Sequence, residues 1–220
     1  MGDGSDQPRA AELADVRAAL VELAPVLRRA ARLDPASIAR LRIASGSAAV
    51  FVRLPFGVLV ARTIRDESAR DLDVVVRASE ALDWLDEAVT DAPTRRDHDW
   101  RGGVPPSSGW TRIDTVPDDV VRGLVRTGAT TLKELAEREG VPGAEPRAEL
   151  SDALLDSVVL TVTGGDQRAE VTLRVLSAVT RMGFLPRGSH VAVDVSGRWI
   201  RVAAEFGSVY HERPGGLGLL

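Results

Sequence analysis

Two stretches of this chain read as strand, turn and strand, and they lie in opposite halves of the sequence. In residues 47–64, SAAVFVRLPFGVLVARTI, two runs of β-branched and aromatic residues flank Pro55, Phe56 and Gly57, the composition of an antiparallel hairpin. In residues 190–211, Val191, Val193 and Val195 alternate with other residues and the chain reverses at Ser196-Gly197. A run from Trp199 to Ala204 follows, with Gly207 at a second turn, which predicts a hairpin or three-stranded meander. Sheets of this kind need a cover on their apolar face, and the rest of the sequence supplies helices for it.

The clearest helix carries Leu13, Val16, Leu20, Leu23 and Leu27 at alternating steps of three and four, one stripe of a 3.6-residue period. Pro25 has no N–H to donate, so a kink or a restart is expected there. Asp34-Pro35 has the chemistry of a cap and a first turn, and predicts a short helix through Leu41. The β-branched run 72–76 predicts a third strand, after which Ser79 is placed to cap a helix that turns Leu82 and Leu85 or Trp84 to the core. Pro117 opens a helical stretch with Val121, Leu124, Leu132 and Leu135, closed by Gly140, and Gly128 leaves open whether it breaks in two. Residues 151–163 begin as a helix and end as a strand. Leu173, Leu176, Val179 and Met182 keep helical spacing up to Gly183.

The fold class these elements imply is α+β, antiparallel β-hairpins or meanders packed with helices. Gly46-Ser47 and Gly188-Ser189 each come after helical sequence and precede strand, turn and strand, an order that fits two pseudo-repeated halves. Residues 91–109, DAPTRRDHDWRGGVPPSSG, are rich in Pro, Gly, Ser and charge without an apolar period, and read as the linker. The expected organisation is a disordered start at 1–8, an α+β unit at 9–90, the linker at 91–109, a second α+β unit at 110–213 and a flexible tail at 214–220.

Composition narrows the chemistry. With no cysteine, no disulfide, thiolate nucleophile or zinc ribbon can be built from this chain alone. The 28 basic and 32 acidic residues are mixed along the sequence, which disfavours a general polyanion surface. Lys133 is the one lysine among those 28, a bias that fits a GC-rich bacterial genome. The first residues, MGDGSDQPR, are no secretory leader, and no apolar run approaches the ~20 residues of a bilayer span, so a cytosolic location is expected.

Few residues suggest a site. His98 lies between Asp97 and Asp99 beside Trp100 and Arg101, but one histidine with alternate carboxylates falls short of a metal set. Trp100 and Trp110 bracket the linker, and with Arg101 and His98 they are the expected partner contacts, since Trp and Arg are favoured in binding hot spots. Trp84 and Trp199 stand in periodic segments and are expected in the core. Residues 131–141, from Thr131 to Val141, resemble the first elements of a helix-turn-helix, with small Ala136 and Gly140 at the turn. The residues immediately after them include two prolines and the acidic Glu145, Glu149 and Asp152, a surface that would repel phosphates. His190 and His211 flank the last β region, and their pairing with Asp194 as a metal or acid–base site would need the sheet to close or reorder, edge-strand histidines being the ordinary explanation.

No catalytic, cofactor or metal residue is assigned. The expected function is a non-enzymatic cytosolic protein-interaction or regulatory protein, acting on a protein partner or by self-association. The alternatives are nucleic-acid binding through Thr131 to Val141, and a hydrolase or transferase in which His98, His190 or His211 meets carboxylates.

Overall fold

The computed structural model describes residues 10–66, 71–85, 89, 91–138 and 151–213. The expectations placed on 1–8, on 214–220 and on Gly140 and Val141 lie outside the described residues. The chain divides into two compact units, Met1–Val52 with Arg62–Gly102, and Arg53–Ala61 with Gly103–Leu220.

In the first unit, helix α1 (Ala10–Leu33) buries Leu20, Leu23 and Leu27, the described part of the predicted stripe. Pro25 neither breaks nor restarts it. The carbonyl that Pro25 leaves unserved belongs to Val21, which is 60% exposed, so water is at hand as a donor. Strand β1 (Ile38–Ala44) then takes the place of the short helix expected after Asp34-Pro35. Asp34 does cap, its Oδ1 accepting from the Ala36 N–H at 2.9 Å, but the structure it closes is a turn. The residues beyond that turn alternate: Ala39, Leu41 and Ile43 are buried while Arg40 and Arg42 point away, a period of two that decides for strand.

Strand β1 pairs antiparallel with β2 (Ser47–Arg53) on one side and with β4 (Leu72–Arg77) on the other. Between them in sequence lies β3 (Leu59–Arg65). Strand β4 runs directly into helix α2 (Ala78–Asp83), whose cap is the extended Arg77 and not Ser79, because no loop intervenes to free a serine for that role. Ala78, Ala81 and Trp84 are buried, and α2 packs on α1.

In the second unit the chain reverses at the predicted Pro55 to Gly57 turn, where the Leu54 N–H donates to the Val58 carbonyl at 2.9 Å. Strand β5 (Thr111–Pro117), which no sequence pattern announces, leads into helix α3 (Asp118–Arg138). Pro117 thus ends a strand and does not open the helix. Helix α3 passes Gly128 unbroken. A Cβ there would lie 2.4 Å from Leu173 Cδ2, so this glycine lets the next helix approach.

Residues 151–155 are helical and give way to β6 (Val158–Gly164), which pairs with β7 (Gln167–Thr172) as a two-stranded sheet. Helix α4 (Leu173–Arg181) comes next with the predicted Leu173, Leu176, Val179 and Met182 all buried, and packs on α3. The predicted meander is β8 (His190–Ser196), β9 (Trp199–Ala204) and β10 (Gly207–Glu212), antiparallel throughout. It is flanked by β5 beyond β8 and by Leu59 to Ala61 of β3 beyond β10. Each unit is therefore a pair of mutually packed helices with antiparallel strands, the α+β scheme in two pseudo-repeated halves.

Candidate interaction site

Four strands of the second unit bring one row of side chains into register: Arg112 on β5, Asp194 on β8, Arg201 on β9 and Tyr210 on β10. Alternation separates this face from the core. Val193 and Val195 turn inward and are buried with Val202 and Val209, while Asp194, one residue out of phase with the valines, takes the other face. Its side chain is nonetheless only 2% exposed, because neighbouring side chains cover it.

Arg112 Nε donates to Asp194 Oδ1 at 3.1 Å, and Arg201 Nε donates to Oδ2 at 2.9 Å, with Arg201 Nη2 2.8 Å away. A buried carboxylate needs such partners, since an unpaired charge away from water is costly. One carboxylate serves two guanidiniums, which leaves the row with one surplus positive charge, carried toward solvent by Arg112, 59% exposed.

Aromatic rings complete the face. The guanidinium of Arg201 sits 4.4 Å from the Trp110 ring centroid, within cation–π range. Trp110 lies 5.7 Å from Tyr210, and Trp199 meets Tyr210 edge-on at 6.5 Å. The Trp110 Nε1–H donates to the Pro106 carbonyl at 2.9 Å, which pins the indole from the loop before β5. Burial pushes the Tyr210 phenol up against the opposing pull of Ser208 and Arg201, so its hydroxyl stays protonated at neutral pH. The result is a rigid surface of half-buried indole and phenol with guanidiniums alongside, suited to hold a partner's apolar and anionic groups.

Of the four residues picked out in sequence, only Trp110 belongs to this face. Asp97, His98 and Asp99 form a 3₁₀ turn in the first unit, and the stretch is tied to β4: the Arg96 N–H donates to the Val75 carbonyl at 2.6 Å, and Asp97 Oδ1 accepts from the Val75 N–H at 2.9 Å. That hydrogen bond, then Arg95, holds the Asp97 carboxylate below its ordinary range. Arg40 makes a two-point pair with Asp73 at 2.7 Å and lies 5.8 Å from the Trp100 ring. The His98 side chain is 79% exposed with Nε2 3.2 Å from Asp99, and Arg101 is exposed.

The two remaining histidines do not share a site. His211 stands in register with Ile200 and thereby with Val195, five residues along β8 from His190, about 16 Å by the rise of a strand. Neither lies on an edge strand, because β5 flanks β8 and β3 flanks β10. Asp194 turns to the arginines and joins neither histidine. Among the described residues no group of three His, Asp or Glu side chains is arranged to hold a metal ion, and no helix is long and apolar enough to cross a membrane. Residues 131–138 continue the long helix α3, which begins at Asp118, with Lys133 and Glu137 paired at 3.9 Å.

Sequence reasoning missed Arg112, Arg201 and Tyr210. A signal was there: Asp194 is the single charge in the apolar strand HVAVDVS, and a carboxylate at such a place calls for cations from the strands beside it.

A family model described as "Domain of unknown function (DUF8185)" matches residues 105–216, and one described as "Domain of unknown function (DUF8010)" matches residues 7–102. No curated protein matches the sequence. Among solved structures the chain is similar to a DnaN sliding clamp (DNA polymerase III subunit beta) from Bartonella birtlesii bound to griselimycin, at TM-score 0.52 and 12% identity, over 89% of this chain and 63% of that one. It is similar to the Caulobacter crescentus beta sliding clamp at TM-score 0.51 and 14% identity, over 92% and 65% of the two chains. A DNA polymerase III subunit beta from Pseudomonas aeruginosa gives TM-score 0.50 and 12% identity, over 91% and 64%. The chain thus spans less than two thirds of the length of these clamps, and the likeness is one of fold.

Proposed function

This chain belongs to the DUF8185 family, and from that premise we propose that it is a non-enzymatic protein-interaction module on a sliding-clamp fold. Its contact face is the Arg112, Asp194, Arg201 and Tyr210 row of the second unit with Trp110 at its centre. The observation that carries this reading is the Arg201 guanidinium held between a buried carboxylate and an indole face. Aromatic and arginine side chains fixed in place lose little entropy when a partner docks, which is what makes them hot spots. The partner is a protein, a second copy of the chain included.

The nucleic-acid alternative gains only analogy from the names of the similar structures. Helix α3 carries Asp118, Asp119, Glu134 and Glu137 against Arg122, Arg126, Lys133 and Arg138, so its charges cancel and offer phosphates no net attraction. The hydrolase or transferase alternative, with His98, His190 or His211 meeting carboxylates, is weakened by the register that keeps His190 and His211 apart and by the 79% exposure of His98.

The test is affinity purification of the tagged chain from its native host with mass spectrometry, together with light scattering on the pure protein, each with the wild type and Trp110→Ala. Proteins retained by the wild type and lost with the variant, or a dimer that the variant dissolves, support the reading. Identical partners and mass for both would overturn it. Binding to random duplex at low salt in a gel shift would move the assignment to nucleic acid.

A further inference from the structure

The second unit also contains a cleft of about 600 Å³ that the outer face does not use, within the roughly 300–1,000 Å³ of small-molecule sites. It lies where the start of β6 and the length of β7 meet the ends of β9 and β10. Val158, which is 48% exposed, and Ile200 give it a short apolar wall, and charged or titratable side chains make up most of the rest. Two atoms of its lining residues, the Thr172 hydroxyl oxygen and Arg213 Nε, are buried without a hydrogen-bond partner among the described residues. Thr172 is the cap residue of α4, yet its side chain makes no capping bond. Buried polar groups in that condition call for a partner, since leaving them unpaired is costly.

Ion pairing sets the charge of the cleft. Glu170 is taken by Arg168 at 2.6 Å, Asp156 by Arg174 at 2.9 Å and Glu212 by Arg198 at 3.4 Å. His211 adds no charge at neutral pH, because burial, then the Arg174 cation, holds its imidazole below the ordinary pKa. Each carboxylate of the lining thus has an arginine, and Arg213 is the cation left over among the described residues. Its backbone is anchored, the Arg213 N–H donating to the Arg198 carbonyl at 2.7 Å.

We propose that this cleft binds a small organic monocarboxylate with a short branched apolar body, its carboxylate on the Arg213 guanidinium and the Thr172 hydroxyl and its hydrocarbon against Val158 and Ile200. An anion supplies the acceptor that Arg213 Nε lacks, and the Thr172 hydroxyl can donate to the same group. A planar carboxylate matches the fork of a guanidinium. A phosphate dianion fits less well, because Asp156, Glu170 and Glu212, though paired, stand round the site and repel a second negative charge. The hydrocarbon withdraws Val158 from water, which favours a carboxylate with an apolar body over a bare one. None of the residues of the Trp110 face lines the cleft, so its occupancy does not depend on that surface.

The test is titration of the isotope-labelled full chain at neutral pH with isovalerate, a branched monocarboxylate, and with isovaleramide, its uncharged isostere, each followed by backbone amide chemical shifts. The expected result is saturable shifts at Thr172, His211 and Arg213 with a Kd for isovalerate of about 1–10 mM, the range open to so small a ligand. The amide should bind roughly tenfold more weakly or worse, and Arg213→Gln should weaken isovalerate by a similar factor. Thr172→Val should weaken it about two- to tenfold, the worth of one neutral hydrogen bond. Unchanged amide positions in β1 and β2 show that a variant is folded, and where Arg213→Gln is not, the two isosteres on the wild-type chain decide the matter. Three results overturn the proposal: no saturable shift with isovalerate in this range, equal binding of the amide, or tighter binding of inorganic phosphate than of isovalerate.

Discussion

Arg201 and Asp194, opposite one another on β9 and β8, form the pair on which the outer face of the second unit is built: Nε to Oδ2 at 2.9 Å, with the carboxylate buried. The carboxylate fixes the guanidinium plane, and the fixed guanidinium in turn holds the Trp110 ring. Replacing Asp194 by Leu leaves two arginines facing each other across a buried site. The expected cost is near the lower end of the ~3–5 kcal/mol of a broken buried pair, since Arg112 can turn to water. Arg112→Ala should cost less than about 1 kcal/mol because that partner is exposed. Urea unfolding with unchanged slope measures both, and equal losses would contradict the account.

Gly207 stands where the Phe184 ring passes. A Cβ added there would meet Phe184 Cε1 and Cζ at 2.7 Å, and the ring is fully buried with nowhere to yield. Gly207→Ala should therefore destabilise by about 1–3 kcal/mol, the usual cost of overpacking. Gly103 has nothing within 4 Å of the same added atom, and Gly103→Ala should be neutral or stabilise by up to ~1 kcal/mol. Thermal melts of the two variants compare them directly.

Arg174 links three segments of the second unit: it donates to the Phe56 carbonyl, pairs with Asp156 at 2.9 Å and reaches Asp152 at 3.5 Å. Its own side chain is 10% exposed. Arg174→Met should cost roughly 2–4 kcal/mol, through the lost charge-assisted hydrogen bonds and the unpaired Phe56 carbonyl. Arg174→Lys should recover little, because one ammonium cannot span acceptors that a planar guanidinium meets together. A chemical denaturation series tests the ranking; full rescue by lysine would contradict it.

The His211 imidazole is held below its ordinary pKa of 6.5 by burial first, then by the nearby Arg174 cation. The unfolded chain takes up this proton more readily than the folded one, so stability is highest where both are neutral. It falls as the pH drops below about 6.5 and levels off once the folded form is protonated as well. His211→Gln should flatten this part of the curve. Unfolding midpoints at neutral and mildly acid pH check the sign, and a wild type that gains stability on acidification would refute it.

How far the sequence carried depends on the range of the interactions. The stripe of Leu20, Leu23 and Leu27, the helix of Leu173 to Met182 and the valine alternation of β8 were legible, because a period of 3.6 or two is a local property of residues that share a core. The helix expected through Leu41 failed because Asp34-Pro35 serves a turn as well as a cap, and only the pairing of β1 with β2 and β4 selects between them. Strand β5 went unseen. Its burial repeats every third residue, at Ile113 and Val116, since the ladder slips between Arg112 and Asp114.

Of the five residues of the candidate face, the sequence singled out Trp110 as a contact and Asp194 only in a different role. Trp110 stood out by its type, whereas Arg112, Arg201 and Tyr210 are spread over about a hundred positions and look like ordinary surface residues until four strands align them with Asp194.

By itself the sequence determined the α+β class, several of the helices and hairpins and the absence of cysteine chemistry, all of which derive from composition and short-range periodicity. Tertiary structure alone decided which strand lies beside which, and so gave Asp194 its two arginines and Arg201 its indole. The physical reason is that a buried charge is stabilised by whichever groups the sheet register brings within hydrogen-bond reach, and register across non-adjacent strands is a property of the folded chain.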